Sequence, residues 1–247
     1  MKKTTIIFAA LGTFLCFIGC HKADITSKAG TFYGNQASLG NGTVRSYVTL
    51  NNQGTPVSMG YNFTEGMLDN LPATTTMIML DPPKEATGSG FEHMELDWNP
   101  NGHAPTPIYG FPHFDFHFFL VGMNELMSVT GGPDMAPVDP KYIPTDYYSN
   151  VMAVPNMGVH WSDSLSSEFH GMPFTHTFVY GFYHSKMLFV EPMIARSFLQ
   201  THTDFTLPVK QPAAFQQAGY NPTTYSVKYD AVKHEYNVSI DSLREHD

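Results

Sequence analysis

The sequence predicts a mainly β protein, folded as a single β-sandwich or barrel domain of about nine or ten strands with one to three short helices. In several segments apolar and polar residues alternate with a period of two, which is typical of strands that bury one face. The chain also contains 20 Gly, 18 Pro and 19 Phe, a composition that favours a turn-rich β fold over a helical one.

The beginning of the chain predicts export and lipidation. Lys2 and Lys3 precede an apolar stretch, residues 6–18, that is too short to span a membrane. It ends in FIGC, which is similar to the bacterial lipobox, in which the cysteine (here Cys20) is acylated and becomes the first residue of the mature protein. Cleavage by the ordinary signal peptidase is the alternative, because Phe17 stands where Leu is usual.

These features predict a place in the bacterial cell envelope, with attachment to a membrane through a lipid on Cys20. His21 follows the cysteine in place of the aspartate associated with inner-membrane retention, so the outer membrane is favoured. The chain is accordingly predicted to have three parts: a lipoprotein signal peptide (1–19), a flexible tether (20–42) and a single β domain (43–247).

Charge and cysteine content narrow the function and the source of stability. The formal net charge is −9, and the 13 Lys and Arg residues are scattered along the chain. We expect no nucleic-acid partner, because phosphate binding needs clustered cations. Of the two cysteines, Cys16 lies in the predicted signal peptide, so the mature chain has no pair for an intramolecular disulfide. The domain must therefore rely on its hydrophobic core.

Alternation and turn-forming residues predict the elements in order along the chain. Strands are expected at 44–50 and 55–63 (a hairpin that turns at 51–54), 74–80, 91–98, 113–123, 174–193 (a hairpin that turns at 183–185), 205–210 and 223–241. Short helices are expected at 64–71, with Thr64 as N-cap, and at 194–202. Segment 99–112 is a proline-stiffened loop that carries His103, and segment 128–172 is expected to be irregular.

The segment PHFDFHFF, residues 112–119, raises the question of function. On a strand, its three even-numbered phenylalanines lie on one face, and His113, Asp115 and His117 lie on the other. The aromatic face must be buried, whereas the polar face is either a metal or catalytic site or an ordinary wet face. The Cα atoms of His113 and His117 are about 13 Å apart on a regular strand, so both imidazoles reach one ion only if the strand is bulged or strongly coiled.

The placement of the 12 histidines favours a metal site. We expect a divalent transition metal (zinc, iron, manganese or copper), which needs three or four converging N or O donors. The candidate ligands are His103, His113, His117, His160 and Glu191. Asp115 is either a further ligand or an acceptor that orients one imidazole. A metal-free pocket and a satisfied polar face are the alternatives, and a salt bridge to Arg196 is the alternative role of Glu191.

Three stretches carry a resemblance to a known family: DWNPNGHAPTPIYGFPHFDFHFF (97–119), GVHWSD (158–163) and YGFYHSKMLFVEPM (180–193). Together they resemble an uncharacterised family of exported bacterial proteins, the TTHB-two-ten-like domain. The resemblance covers about residues 40 to 240 and implies a compact, mainly β domain whose candidate ligands lie in the signature segments. The function of that family is unknown, so the resemblance implies no activity.

Three functions compete at this point. The first is a lipid-anchored envelope protein whose histidine/carboxylate pocket binds a divalent metal, with hydrolase or lyase chemistry if a coordination position stays open. The second is a binding module whose cavity takes a small molecule, lined by Trp98, Tyr109 and Trp161. The third is a non-catalytic stress or assembly protein that acts as a homo-oligomer. The sequence contains no His-x-His, which cupins and the carbonic anhydrases with a β-sheet site need. It also contains no Gly-x-Ser-x-Gly and no His-Glu-x-x-His, so it offers no signature of a hydrolase nucleophile or of the commonest zinc peptidases.

Overall fold

The structure is a computed structural model that describes residues 29–246. The predicted signal peptide and Cys20 lie outside these residues. The strands of the described part are β1 (Gly30–Leu39), β2 (Gly42–Leu50), β3 (Pro56–Thr64), β4 (Thr76–Leu80), β5 (His93–Asn99), β6 (His113–Phe119), β7 (Gly132–Pro133), β8 (Tyr147–Val154), β9 (Gly158–Asp163), β10 (His176–Tyr183), β11 (Lys186–Ala195), β12 (Phe205–Pro208), β13 (Gly219–Asn221), β14 (Thr224–Asp230), β15 (Glu235–Asp241) and β16 (Arg244–His246).

The helices of the described part are short. The α-helices are α1 (Thr106–Tyr109), α2 (Met123–Leu126) and α3 (Arg196–Leu199). The 3-10 helices are Glu65–Leu68, Lys84–Ala86, Pro140–Tyr142 and Ser167–His170. Among residues 29–246, none of these helices has the length and apolar character needed to cross a membrane.

Two antiparallel sheets form the body of the described chain. The six-stranded sheet has the order β1-β2-β3-β15-β14-β12, and the eight-stranded sheet has the order β4-β5-β6-β11-β10-β9-β8-β7. Strands β13 and β16 form a small third sheet. Both large sheets end in edge strands, so the architecture of residues 29–246 is sandwich-like and not a closed barrel. The prediction of a mainly β fold is confirmed.

The described chain has more strands than the nine or ten predicted. Several additional strands are very short, such as β7 with 2 residues and β13 with 3. Strands β8 and β9 lie in segment 128–172, which was predicted to be irregular. Strand β8 is exposed over most of its length and bulges between Ser149 and Ala153, so it lacks the apolar alternation that marks a half-buried strand.

The predicted hairpins are confirmed. β2 pairs with β3, β10 pairs with β11, and the alternating segment near the end of the chain forms β14 and β15. The β10–β11 turn places His184 and Ser185 at φ of 48° and 69°, as a type I′ turn requires. The backbone N–H of His184 donates to the Asp134 carboxylate at 2.6 Å, which holds the turn without the usual Asn-Gly pair.

The predicted tether (20–42) is wrong for its second half, because β1 occupies most of that half. β1 is an edge strand whose backbone pairs with β2. Most of its side chains are exposed, so the segment has the polar, Gly-rich composition of a linker although its backbone is ordered by pairing. The Arg45 guanidinium lies 3.8 Å from the centre of the Tyr33 ring and adds a cation–π contact. Residues 20–28 lie outside the described range.

The phenylalanine face of β6 packs between the two large sheets. Phe114, Phe116 and Phe118 are completely buried, as the alternation predicted. The Tyr61 ring of β3 contacts Phe116 and Phe118 edge-on, with ring centroids 5.1 and 5.3 Å apart. Burying a phenylalanine side chain stabilises the fold by roughly 1.5–3 kcal/mol. This strong preference fixes the register of β6 and turns its odd-numbered residues to the other side of the larger sheet.

Tyr61 also connects the two sheets through its hydroxyl group. Its single hydrogen is shared between two backbone carbonyl oxygens, that of His117 at 2.5 Å and that of Glu95 at 3.0 Å. The two carbonyls belong to register partners on β6 and β5. The smaller sheet is therefore hydrogen-bonded to the backbone of the residues whose side chains form the candidate site.

Candidate metal centre

Polar side chains form a buried ladder on the face of the larger sheet that points away from the sandwich core. On β5 and β6 the opposed pairs are Glu95 with His117, Asp97 with Asp115, and Asn99 with His113. All six side chains are buried. Because successive residues of a strand alternate between faces, the packing of the phenylalanines places these groups together. Glu191 on β11 and His160 on β9 extend the ladder across the sheet.

The first group consists of His103, His113 and Asp115. The Nε2 atom of His103 lies 3.3 Å from Asp115 Oδ2, and the Nε2 atom of His113 lies 3.2 Å from Asp115 Oδ1. The side-chain amide of Asn99 donates to Asp115 Oδ2 at 2.8 Å. The three potential ligand atoms lie within 4.8 Å of one another, so this group can hold a metal ion.

Backbone carbonyls fix the orientation of both imidazoles in this first group. His113 Nδ1 donates to the carbonyl of Phe111 at 2.7 Å, and His103 Nδ1 donates to the carbonyl of Ala104 at 2.9 Å. A carbonyl oxygen only accepts, so Nδ1 carries the hydrogen in both rings. In a neutral ring, Nε2 then presents its lone pair towards Asp115. Histidine ligands of metals are commonly held in this way.

The second group consists of His117, His160 and Glu191. The Nε2 atoms of both histidines lie 3.5 Å from the same oxygen, Glu191 Oε2. The Phe189 ring lies beside both imidazoles, with centroid distances of 4.9 Å to His117 and 5.1 Å to His160. A Cβ atom at Gly181 would come within 2.0 Å of that phenyl ring, so only glycine there lets the ring lie against the histidines. This group also has its potential ligand atoms within 4.8 Å of one another.

Two acidic residues of this face, Glu95 and Asp97, were not predicted as part of the site. Asp97 Oδ2 lies 3.3 Å from His117 Nδ1, and Glu95, Asp97 and His117 form a third group that can hold a metal ion. The pattern that could have revealed them is HMELDWN (93–99), in which polar residues occur at every second position as they do in PHFDFHFF. Its core-facing residues are less aromatic, so the alternation is less evident.

Many buried polar atoms of the ladder lack a hydrogen-bond partner among the described residues. They are His113 Nε2, Asp115 Oδ1, His117 Nδ1 and Nε2, Asp97 Oδ2, Glu95 Oε1 and both carboxylate oxygens of Glu191. A buried polar atom without a partner costs about 1–3 kcal/mol, and more when it is charged. Such a concentration of unpaired buried atoms indicates that these side chains are positioned where they could bind an ion rather than hydrogen-bond with one another.

Burial and neighbouring charges shift the pKa values of the second group and of the adjacent Glu95. Burial disfavours a charged imidazole at His117, but the negative charges of Glu191 and Asp97 outweigh it and raise its pKa to about 10. Burial raises the pKa of Glu191 to about 8. Burial, with the nearby charge of Asp97, raises the pKa of Glu95 to about 7. Burial and the positive charge of His117 lower the pKa of His160 to about 3.

In the first group Asp115 and His103 stabilise each other's charged form. Burial would raise the pKa of Asp115, but the charge of His113 and the hydrogen bond with His103 hold it well below its usual value. Burial opposes a charge on His103, but the hydrogen bond and charge of Asp115 raise its pKa to about 9. Without an ion, protons therefore compensate part of the buried negative charge of this face.

The structure brings together all five predicted ligands and Asp115, but in two groups. β6 pairs regularly with β5 along its whole length, so His113 and His117 keep the separation expected of an unbulged strand and fall in different groups. The alternative role of Glu191 as a partner of Arg196 is not seen, because the Arg196 guanidinium donates to the carbonyl of Leu68.

Trp98, Tyr109 and Trp161, which were predicted to line one pocket, lie on two different sides of the larger sheet. Trp98 and Trp161 pack in the main hydrophobic cluster, and Trp98 donates its indole N–H to the carbonyl of Pro72 at 2.8 Å. They alternate with Asp97 and His160 and so point to the other face of the sheet. Tyr109 lies on the ladder's side, with its ring centroid 6.0 Å from that of His103.

Fold and site together define a mainly β, two-sheet protein with buried histidine–carboxylate groups on the outer face of its larger sheet. Residues 51–98 match the model of the family described as "TTHB210-like: Hypothetical protein TTHB210". This match confirms the predicted resemblance to this family over residues 51–98, part of the predicted span of about 40 to 240. The matched segment includes β3, β4 and most of β5, and therefore Tyr61, Glu95 and Asp97. No curated protein and no solved structure matches the chain.

Proposed function

We propose that this protein binds a divalent transition metal ion through the histidine–carboxylate groups of the larger sheet. One observation carries the proposal: two imidazoles oriented by backbone carbonyls, His103 and His113, converge through Nε2 on the buried carboxylate of Asp115. Two nitrogen donors and one carboxylate oxygen suit zinc, iron or manganese, and copper also accepts imidazole.

The surroundings of the first group support binding of a substrate beside the ion. Three protein donors leave coordination positions open, and an ion held in this way can polarise a carbonyl or phosphoryl oxygen for hydrolysis or a lyase reaction. The His103 side chain is 36% exposed, so solvent reaches the group. A cavity of about 640 Å³ lies alongside and is lined in part by Phe174, whose ring centroid is 5.5 Å from that of His113. We propose that the ligand of this protein enters there.

Replacing Asp115 with asparagine tests the metal proposal. We expect the dissociation constant for Zn²⁺ at the first group, measured by equilibrium dialysis of tag-free protein, to rise at least about 100-fold, since the variant loses a charged ligand. Glu65→Gln is the matched control, because Glu65 is an exposed carboxylate that contacts two histidines, His202 at 3.0 Å and His234 at 2.9 Å, without forming a group with converging ligand atoms. Equal zinc retention by Asp115→Asn and the wild type would contradict the proposal.

We also propose that the protein is anchored in the bacterial envelope, with the outer membrane favoured, by a lipid on Cys20. The sequence FIGC and the charged and apolar segments before it support this proposal. Cys20→Ser is expected to move the protein from the membrane fraction to the soluble fraction after cell lysis, as followed by immunoblotting. An unchanged distribution between the two fractions would contradict lipidation at this residue.

A further inference from the structure

We infer that the outer face of the larger sheet holds two metal ions, the second bound by His117, His160 and Glu191 next to the ion at His103, His113 and Asp115. This inference rests on the proposed metal binding and extends it from one site to a pair. The pairing of β5 with β6 and the position of β11 beside β6 place the two sites side by side.

The geometry separates the two sites. His113 and His117 belong to different groups and lie four residues apart on β6, which pairs regularly with β5, so their Cα atoms are about 13 Å apart. A metal–nitrogen or metal–oxygen bond is only ~2.0–2.2 Å long. A single ion therefore cannot be bound by both groups without breaking the pairing of β6, whereas each group alone supplies two imidazole nitrogens and one carboxylate oxygen.

The second group has the features of a site prepared for an ion. The side chains of His117 and Glu191 are each 1% exposed, and all four of their nitrogen and oxygen atoms lack a hydrogen-bond partner among the described residues. His160 Nε2 and His117 Nε2 are equally distant, at 3.5 Å, from Glu191 Oε2. The side chain of His160 is 25% exposed, so an ion can reach this group from solvent.

The count of buried charges points to the same number of ions. Four buried carboxylates lie on this face: Glu95, Asp97, Asp115 and Glu191. Within residues 29–246 their ion-pair partners are histidines, and no Lys or Arg side chain is paired with any of them. Two divalent cations would balance four ionised carboxylates next to neutral imidazoles, whereas with one ion the other two carboxylates would still need protons on themselves or on the histidines. Glu95 and Asp97 contribute to this balance beside the second ion.

Metal stoichiometry of the full-length protein tests the inference. Tag-free protein is equilibrated with Zn²⁺ and dialysed, and zinc per chain is measured by mass spectrometry. We expect about two ions in the wild type and in Glu65→Gln, and about one in Asp115→Asn and in Glu191→Gln, because each of these two variants loses one site and keeps the other. His160→Gln, at a partly exposed position, is a second variant of the new site and is also expected to retain about one ion.

The possible outcomes separate this inference from the proposed function. One ion in the wild type that is lost in both Asp115→Asn and His160→Gln would indicate a single shared site and would overturn the inference. One ion that is lost in Asp115→Asn but retained in His160→Gln and Glu191→Gln would overturn the second site and leave the proposed function intact. Absence of retained zinc in the wild type would overturn both. If Glu191→Gln fails to fold, the comparison of His160→Gln with the wild type decides.

Discussion

Replacing His117 with alanine is expected to lower the free energy of unfolding of the chelator-treated protein by about 3–5 kcal/mol. His117 is completely buried and faces two buried carboxylates, Asp97 at 3.3 Å and Glu191 at 3.5 Å. Alanine leaves both without their cationic partner and opens a space beside the rings of Phe119 and Phe189, which both contact the imidazole. Urea unfolding with a chelator present measures this change separately from any loss of metal.

The matched control is His176→Ala, on β10 of the same sheet. His176 is also partly buried among aromatic rings, and its Nδ1 atom lies 3.1 Å from the hydroxyl of Tyr225, but it has no carboxylate partner within the described chain. We expect this control to lose about 1 kcal/mol, the usual contribution of a neutral hydrogen bond. Equal losses in the two variants would show that His117 contributes only packing.

The chelator-treated protein is expected to become less stable as the pH rises from about 6.5 to 10. His117 and His103 have folded-state pKa values of about 10 and about 9, above the ordinary value of 6.5. Their stabilising protonation is complete below pH 6.5 and is lost as the pH rises through these folded-state values. Glu191, with a pKa of about 8, and Glu95, with a pKa of about 7, also release protons from the folded state in this range.

Two groups with lowered pKa values do not reverse this trend. Asp115 titrates well below pH 6.5 in both the folded and unfolded chains and contributes no slope above it. His160, with a folded-state pKa of about 3 and an ordinary value of 6.5, raises stability with pH only until the unfolded imidazole has lost its proton, about one pH unit above 6.5. Partial loss of the stabilisation by protonated His117 alone is expected to lower the free energy of unfolding by about 2 kcal/mol. This corresponds to a decrease of roughly 4–8 °C in melting temperature. Differential scanning calorimetry in the presence of a chelator measures this change.

The zinc-loaded protein is expected to show the opposite dependence, because an ion must displace the same protons and therefore binds more tightly as the pH rises. The difference in melting temperature between zinc-loaded and chelated protein should widen between pH 6.5 and 9. A chelated protein whose stability is constant or increases over this range would contradict the charge state derived for the ladder.

The local alternation of apolar and polar residues was sufficient to predict the fold class and the central strand. In PHFDFHFF the period of two assigns the phenylalanines to the core and the histidines to the other face, because a strand offers no other way to bury three large rings together. The hairpins were predictable for the same reason, since turn residues and alternation are local. The edge strand β1 could not be predicted in this way, because most of its side chains are exposed and its strand structure depends on backbone pairing, which does not require a particular composition.

The organisation of the site depended on contacts between distant segments. The sequence identified His103, His113, His117, His160 and Glu191, but their division into two groups follows from the registers of β6 with β5 and with β11. Glu95 and Asp97 become part of the site only through that pairing, which places them opposite His117 and Asp115. Pairing register is set by packing of the whole sheet, so a single sequence does not determine it.

The hydroxyl group of Tyr61 makes the geometry of the metal-binding side chains depend on the smaller sheet, which contributes none of those side chains. It is hydrogen-bonded to the main chain at Glu95 and His117, and its ring is embedded in the core of the sandwich. Any substitution that displaces β3 by a fraction of an ångström is therefore transmitted to the imidazole of His117 and the carboxylate of Glu95. Natural variation in ion affinity among related chains should consequently follow changes in the smaller sheet as well as changes in the donors themselves.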